Sequence, residues 1–347
     1  MSFHYFVTII TFILLSLVIF LGRHEIVQAW GLLGSVDIWI LSLLVPIQLL
    51  SYYASAGMIF SYLRTKGDLK NTSHWQMTRI ALELNFVHHI LPSGGIAGFS
   101  YLSWLLHHHG VSISRSTMAQ FLRYGLTFLG FVVILFGSVI TLFLDNQINK
   151  MIVVISVVFA ILAIGTVVFV GYFIDSKKRM KKMSNWVTHF VNTLISKITR
   201  GRKRNTFEYE KVEKFFIEIN QDWVSIKKDK KILIKPFIWS LIANTLDVAL
   251  IAVAFCALGT AVNPAILFIA FGISSVVGIL SAIPGGAGVY DTVMIAFLAS
   301  AGIPVGVAIA GTLLARVVLL LGTIIFGYIF YQLTINKYGK IPTTTII

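Results

Sequence analysis

Long apolar stretches alternate with short polar segments along most of this chain. Six stretches are long enough to cross a membrane, since a helix needs roughly 20 apolar residues to span about 30 Å of hydrocarbon. They run from Tyr5 to Gly22, Ile38 to Tyr62, Tyr124 to Leu144, Met151 to Ile174, Pro236 to Leu258 and Val305 to Leu333. The pattern predicts an all-α polytopic membrane protein.

Two further apolar segments, Thr78 to Leu106 and Phe268 to Ala301, are interrupted by proline and glycine. The interruptions read Leu-Pro-Ser-Gly-Gly at Leu91–Gly95 and Ile-Pro-Gly-Gly-Ala-Gly at Ile283–Gly288. Proline removes a backbone donor and glycine accepts almost any φ, so each motif predicts a helix break. Because each half is only about 10 to 17 residues long, we expect two re-entrant hairpins. The alternative is that both segments are kinked full spans.

The distribution of charge orients these spans. Lys and Arg accumulate between Leu63 and Thr78, and again between Asp175 and Lys235, where 17 basic residues stand against seven acidic ones. The loops on the opposite side are nearly neutral. Since basic loops stay in the cytoplasm, both linkers and both termini are predicted to be cytoplasmic, in a plasma or inner membrane.

This orientation gives the two hairpins opposite directions. The first enters from the cytoplasm and the second from the exterior. Residues 1–174 and 236–347 are therefore predicted to form two membrane halves related as an inverted-topology repeat. Paired segments interrupted by glycine and proline are the best sequence indication of a transporter's binding site.

Residues 175–235, between the two halves, carry two predicted amphipathic helices, because apolar positions recur at three- and four-residue steps. They are Trp186, Val187, Phe190, Val191, Leu194, Ile195 and Ile198 in the first helix, and Val212, Phe215, Phe216, Ile219, Trp223 and Ile226 in the second. We expect these faces to enter the headgroup zone while Lys and Arg meet anionic lipid. The alternative is a solvated linker that only fixes topology.

Composition narrows the possible classes of function. Hydrophobic residues make up 57% of the 347 positions and charged residues 12%, which argues against a soluble enzyme. The single cysteine, Cys256, excludes an internal disulfide and a multi-cysteine metal site. The sequence has no phosphate-binding loop and no catalytic motif, so no enzyme activity, cofactor or metal is predicted. The net charge of +14 is explained by the basic loops, and nucleic acid is not expected as a partner.

Three charged residues lie well inside the apolar segments: Asp247, Asp291 and Arg316. Each costs roughly 2.5–3.5 kcal/mol at a helix centre, so each needs a partner or wet surroundings. Asp247 comes twelve residues after Lys235 and Arg316 twelve after Pro304, so both are about 18 Å deep from opposite faces. We expect this cluster to receive an anionic headgroup on the arginine. The alternative is an ion pair that only fixes helix packing.

Further polar residues lie closer to the cytoplasmic face. Glu83 and Asn85 belong to the first hairpin. Arg123, at the mouth of the next span, is predicted to be a snorkelling residue, with contact to a lipid phosphate as the alternative.

At these motifs the sequence resembles the lysylphosphatidylglycerol synthase transmembrane region family, which includes the lipid-flipping half of the multiple peptide resistance factor. The resemblance rests on Asn85 with Leu91–Gly95, on Ile283–Asp291 and on Arg316. It implies that Asp291 stands where the family usually has Glu, and that Arg316 is its membrane-embedded arginine. The soluble aminoacyltransferase half is not found in this sequence, so lysyl transfer is not expected.

The resulting hypothesis is a carrier that moves an anionic lipid or lipid-linked headgroup between leaflets through a midplane site. Arg316 would bind the phosphate, Asp291 would pair with Arg316 in the resting site, and Asp247 would balance charge or take a proton. The predicted binding residues are Arg316, Asp291, Asp247, Asn85, Glu83, Pro92, Gly94, Gly95, Pro284, Gly285, Gly286 and Gly288.

The sequence is also compatible with two other functions. One is a membrane-embedded lipid or glycan transferase with Asp291 as its base. The other is an accessory subunit of a lipid or envelope complex. The expected partners are membrane lipids, with a second copy of the chain as an option.

Overall fold

The computed structural model describes residues 36–90, 96–145, 150–198, 207–280 and 288–339. Its helices are α1 (Ile38–Ser42), α2 (Leu44–Thr65), α3 (His74–Ile90), α4 (Ile96–His107), α5 (Ile113–Leu144), α6 (Lys150–Asp175), α7 (Lys177–Ile198), α8 (Tyr209–Lys228), α9 (Ile234–Ala257), α10 (Pro264–Leu280), α11 (Val289–Ser300) and α12 (Val305–Tyr338), with a 3-10 turn at Lys230–Leu233. Within these ranges all regular structure is helical, as predicted. The first predicted span, Tyr5–Gly22, lies outside the described residues.

Five of the predicted spans are confirmed as helices long and apolar enough to cross a membrane. They are Ile38–Thr65, Ile113–Leu144, Ile152–Asp175, Lys230–Ala257 and Val305–Tyr338. The helix α5 begins well before the predicted Tyr124, because Ser112 caps its start by accepting a bond from the Arg115 backbone N–H at 3.3 Å. With 32 residues, α5 is about 48 Å long and extends beyond the hydrocarbon.

The outer surface of α6 is apolar along its length. Val154, Ile161 and Phe169 are all exposed, and the later turns of α12 expose Ile325 and Ile329 in the same way. Continuous apolar surface of this kind is stable against lipid and unfavourable against water. The chain is therefore a multi-pass helical membrane protein.

Each interrupted segment folds back on itself. In the first, the Tyr101 hydroxyl of α4 donates to Glu83 of α3 at 2.5 Å, and Gly98 lies against the His88 ring. Both pairs are centred on the proline–glycine motif, so α3 and α4 run antiparallel. In the second segment, α10 and α11 also pack against each other. A kinked full span would instead keep its two halves in line.

The two membrane halves interlock. The helices α2 and α9 form the centre and run antiparallel, since the Asp37 N–H before α2 donates to the carbonyl of Ala257 at the end of α9 at 2.9 Å. Each hairpin packs on the span that follows the hairpin of the other half, α3 on α12 and α10 on α5. The contacts between the halves are therefore reciprocal.

Glycine allows both hairpins to approach these spans closely. A Cβ atom on Gly327 of α12 would lie 2.5 Å from the Cβ of Phe86, and one on Gly272 of α10 would lie 1.8 Å from the Phe131 ring. Small residues at helix crossings give the close packing that holds membrane helices together. The glycine belongs to the span in one contact and to the hairpin in the other.

The second linker helix, α8, does not present its apolar face to lipid. Val212, Phe216, Ile219 and Ile226 are buried in a cluster with residues of α2, α5 and α6. The prediction that this face enters the headgroup zone is wrong. The periodic apolar positions are real, but the membrane half covers them.

The first linker helix, α7, does leave apolar side chains uncovered. Trp186 and Phe190 are exposed, with stacked rings whose centroids lie 5.5 Å apart, and Met183 is exposed beside them. The side chains of Leu194 and Ile198, which complete the predicted face, lie outside the described residues. The two linker helices thus differ in what their apolar faces contact.

Candidate functional site

An ion pair joins the second hairpin to the last span. Arg316 Nη1 of α12 donates to Asp291 Oδ1 of α11 at 2.8 Å, and the two side chains are only 17% and 13% exposed. The guanidinium also lies over the Tyr290 ring, 5.4 Å from its centroid. The predicted pairing of these two charged residues is confirmed.

The start of α11 holds the Asp291 carboxylate in place. Its second oxygen, Oδ2, accepts a bond from the Gly288 backbone N–H at 3.0 Å, which caps the helix. Gly288 has φ +79°, in the left-handed region that a residue with a Cβ adopts only at a cost. The positive end of the helix dipole favours an acid at this position. Asp291 is thus fixed from the backbone side and presents Oδ1 to Arg316.

A first cavity of about 350 Å³ opens beside Arg316, between α2, α9, α12 and the second hairpin. Its polar lining consists of Gln48, Ser51, Tyr52, Asn85, Tyr290, Thr312, Thr323, Asp247 and Arg316. Guanidinium, hydroxyl and amide donors around one space suit an oxyanion. Among the described residues, no group of three His, Cys, Asp or Glu side chains could hold a metal ion.

Asp247 lines this cavity but is bonded elsewhere. Its Oδ1 accepts a hydrogen bond from the Ser51 hydroxyl, which ties α9 to α2. Within the described ranges it forms no ion pair. The expected cluster of three charges is therefore a pair, Arg316 with Asp291, and a separate carboxylate across the cavity.

A layer of polar side chains on α2 had no part in the sequence-based site. Gln48 Nε2 donates to the Leu319 carbonyl at 2.8 Å, and the Tyr52 hydroxyl is hydrogen-bonded to Thr323. The available signal was polar residues spaced three and four apart within an otherwise apolar span, which marks one helix face. These bonds position α2 against α12 and form one wall of the cavity.

A second cavity, of about 240 Å³, adjoins the first. Both are lined by Ser51, Tyr52, Asn85, Asp247 and Phe271. Asn85, a predicted site residue, thus contributes to both.

Arg123 of α5 lines the second cavity. Its Nη1 donates to the Ser55 hydroxyl at 3.3 Å, and its Nε is buried. The prediction that Arg123 snorkels outward is wrong, because the helix begins earlier than expected and the side chain turns into the protein.

Comparison with protein families now places the chain. A model of the family described as Lysylphosphatidylglycerol synthase TM region matches residues 6–327. The chain belongs to this family. No curated protein shows a significant match. In this member of the lysylphosphatidylglycerol synthase TM region family, the carboxylate that meets Arg316 is an aspartate.

Glu83, a predicted binding residue, lines neither of the two cavities. It is fully buried and accepts bonds from Arg79 Nε at 2.9 Å, the Tyr101 hydroxyl at 2.5 Å and the Thr334 hydroxyl at 2.8 Å. Arg79 Nη2 also donates to Thr334, at 2.9 Å. This network fastens the first hairpin to α12, so the geometry assigns Glu83 to packing.

Part of the predicted backbone site lies outside the described residues. These positions are Pro92, Gly94, Gly95, Pro284, Gly285 and Gly286. Of the predicted glycines only Gly288 is described, and its role is to cap α11.

Proposed function

We propose that this protein moves an anionic lipid, or the headgroup of a lipid-linked compound, between the leaflets of a cell membrane. The observation that carries the proposal is the Arg316–Asp291 ion pair beside a cavity in the interior of the helices. The proposal includes no covalent step, and no catalytic residue is assigned.

The pair suits reversible binding of a phosphate. A buried arginine without a counter-charge is costly, so Asp291 stabilises Arg316 while no headgroup is bound. A phosphodiester offers the same charge and can accept two parallel N–H bonds from a guanidinium. An arriving headgroup would therefore exchange with Asp291 at little net cost.

The arrangement of the helix ends supports a membrane topology with opposed re-entrant hairpins. The predicted exterior loops meet at one end, where Asn263 Nδ2 lies 3.5 Å from Asp145 Oδ2. The predicted cytoplasmic loops meet at the other, where Arg115 pairs with Asp68 at 3.1 Å. Together with the reciprocal packing of the hairpins, this supports an inverted repeat with its binding site between the halves.

The orientation can be tested on Cys256, the single cysteine of the chain, which is exposed in the last turn of α9. We expect a membrane-impermeant maleimide to label it in intact cells, with Cys256→Ser as the unlabelled control. Labelling only after permeabilisation would reverse the orientation.

Transport can be tested in proteoliposomes that contain fluorescent phosphatidylglycerol, with dithionite as the external quencher. We expect the wild type to make inner-leaflet probe accessible and Arg316→Ala to lose this activity. The matched control is Arg179→Ala, which removes a linker arginine that stacks on Tyr172 away from both cavities. Equal rates for wild type and Arg316→Ala would refute the assigned role.

Mass spectrometry of the same lipids separates a carrier from a transferase. We expect every lipid to be recovered unchanged. A covalently modified lipid that disappears with Asp291→Asn would favour the transferase instead.

The exposed patch of Met183, Trp186 and Phe190 supports attachment of α7 to the cytoplasmic lipid surface. We expect the double variant Trp186→Ala, Phe190→Ala to leave α7 more accessible to protease in liposomes that contain anionic lipid. Unchanged cleavage would contradict this attachment.

A further inference from the structure

We propose that the cavity around Arg123 is a second oxyanion site, which binds the phosphate of a lipid headgroup at the cytoplasmic end of the path. The use of this site in transfer rests on the proposed function, whereas binding itself does not. The ligand chemistry is a phosphate monoanion or phosphodiester, from a lipid or free in solution.

The charge of Arg123 is not balanced by any residue that the structure describes. Among the described residues it has no carboxylate within ion-pair distance, and its buried Nε has no hydrogen-bond acceptor. Within the described residues, the Arg123 guanidinium contacts the Ser55 hydroxyl and the Tyr124 ring, whose centroid lies 4.6 Å from it. A half-buried guanidinium with a buried, unbonded Nε is costly, and an oxyanion would supply both the charge and the acceptors.

The cavity around Arg123 is lined mainly by neutral residues. Its neutral polar residues include Ser55, Thr127, Asn244 and Ser275. Among the lining residues that the structure describes, the only carboxylate is Asp247, which is bonded to Ser51. The Ser55 and Ser275 hydroxyls can donate to a phosphate beside the guanidinium, whereas Thr127 Oγ1 donates to the Arg123 carbonyl and Asn244 Nδ2 to the Thr127 carbonyl.

In the proposed topology, Arg123 and Arg316 lie at different depths in the membrane. Arg123 is 21 residues before Leu144, the outer end of α5, which corresponds to about 32 Å along the helix. The hydrocarbon layer is about 30 Å thick, so in the proposed topology Arg123 lies at the level of the inner-leaflet phosphates. Arg316 lies only eleven residues, about 17 Å, after Val305 at the exterior end of α12.

The two cavities adjoin each other. The two cavities share five lining residues, and the Ser51–Asp247 hydrogen bond lies on their common wall. A headgroup released by one arginine would therefore pass directly into reach of the other cavity. Two cationic positions at different depths would divide the crossing into shorter steps.

Binding can be measured by isothermal titration of the purified full chain in a neutral maltoside detergent with short-chain phosphatidylglycerol. We expect two sites in the wild type, one in Arg123→Gln, one in Arg316→Gln and none in the double variant. The control Arg179→Gln should keep both. Inorganic phosphate, titrated alone, tests free phosphate as the source.

The outcomes separate clearly. Loss of one lipid site in Arg123→Gln supports the proposal, and an Arg123-dependent signal with inorganic phosphate alone supports an oxyanion site fed from solution. Two undiminished lipid sites in Arg123→Gln overturn it. If Arg123→Gln does not fold, Arg123→Lys keeps the charge but loses the guanidinium fork, and at least tenfold weaker binding at one site is expected. Wild type that binds at two sites but moves no lipid would refute the proposed function alone.

Discussion

The two membrane halves hold an arginine at matching positions but surround it differently. Arg123 comes ten residues after Ile113, the start of α5, and Arg316 eleven after Val305, the start of α12. Arg316 meets Asp291, whereas Arg123 meets the Ser55 hydroxyl. The same architecture thus carries one neutralised arginine and one whose charge is not balanced by a described residue.

The two hairpins also differ in the residue that comes three positions after the break. Asp291 is three residues after Gly288, the last glycine of the second break, and the residue three after Gly95 in the first break is Gly98. A Cβ at Gly98 would lie 1.9 Å from His88 Nε2, so an acid there would require the His88 ring to move. The second hairpin thus carries an acid three residues after its break, and the first carries a glycine packed against His88 at that place.

The largest expected effect comes from removing the carboxylate of the paired arginine. Asp291→Asn keeps an acceptor for Gly288 but leaves Arg316 unneutralised, so we expect a loss of stability on the order of 3 kcal/mol. Thermal unfolding in detergent measures it. The double variant Arg316→Met, Asp291→Asn, which keeps the acceptor for Gly288 and leaves no unpaired charge, should recover most of the loss. A single variant as stable as the wild type would contradict the importance of the pair.

The second prediction compares the two carboxylates that fasten the hairpins to α12. Glu83 is enclosed by bonds and lines neither cavity, so Glu83→Gln should lower the free energy of unfolding by about 2 kcal/mol through weakened polar contacts. Lipid transport per folded molecule should not change. Reduced transport at full folding would return Glu83 to the binding site.

The third prediction gives the first half the partner it lacks. Ser55→Asp places a carboxylate beside Arg123, so we expect phosphatidylglycerol to bind there at least tenfold more weakly, a change of about 1.4 kcal/mol. Ser55→Asn, of similar size, is the control and should bind nearly as the wild type does. Titration of both variants checks this, and equal binding would argue against Arg123 as a phosphate ligand.

The smallest effect is expected at Asp247, the carboxylate among the five residues that line both cavities. Asp247→Asn keeps an acceptor for Ser51 and removes one charge, so transport should change by about threefold to tenfold, or roughly 1 kcal/mol in activation energy. If Asp247 takes a proton during transfer, the wild-type rate depends on pH and the variant rate does not. Parallel pH profiles would limit Asp247 to charge balance.

Hydropathy was sufficient to predict the five spans that the structure describes and the short helices of the interrupted segments, because hydrocarbon thickness and backbone satisfaction impose the same lengths on any membrane helix. The Arg316–Asp291 pair was also predictable, since a charge inside the membrane requires a partner. The partner of Asp247 was not. Depth along a helix follows from residue number, but the direction of a side chain around the helix does not. Asp247 accepts its hydrogen bond from Ser51, on a helix that is far away in the sequence.

The sequence also did not predict whether protein or lipid covers the apolar face of a helix. Periodicity marked the apolar residues of α7 and α8 equally well, yet Ile219 is buried by the membrane half and Trp186 is exposed. Pattern shows which face is apolar, whereas tertiary packing decides whether protein or lipid covers it. Arg123 was misplaced for a related reason, because the cap at Ser112 starts α5 earlier than hydropathy indicates.

Asp291 divides its two oxygens between Arg316 and the Gly288 N–H. In the proposed function, a headgroup that draws Arg316 away would leave the Asp291–Gly288 bond in place, so α11 would keep its first turn. Asp291 would then stay fixed, and only the Arg316 side chain would have to move for the headgroup to bind. The first turn of α11 would then not have to unfold and refold each time a lipid is bound and released.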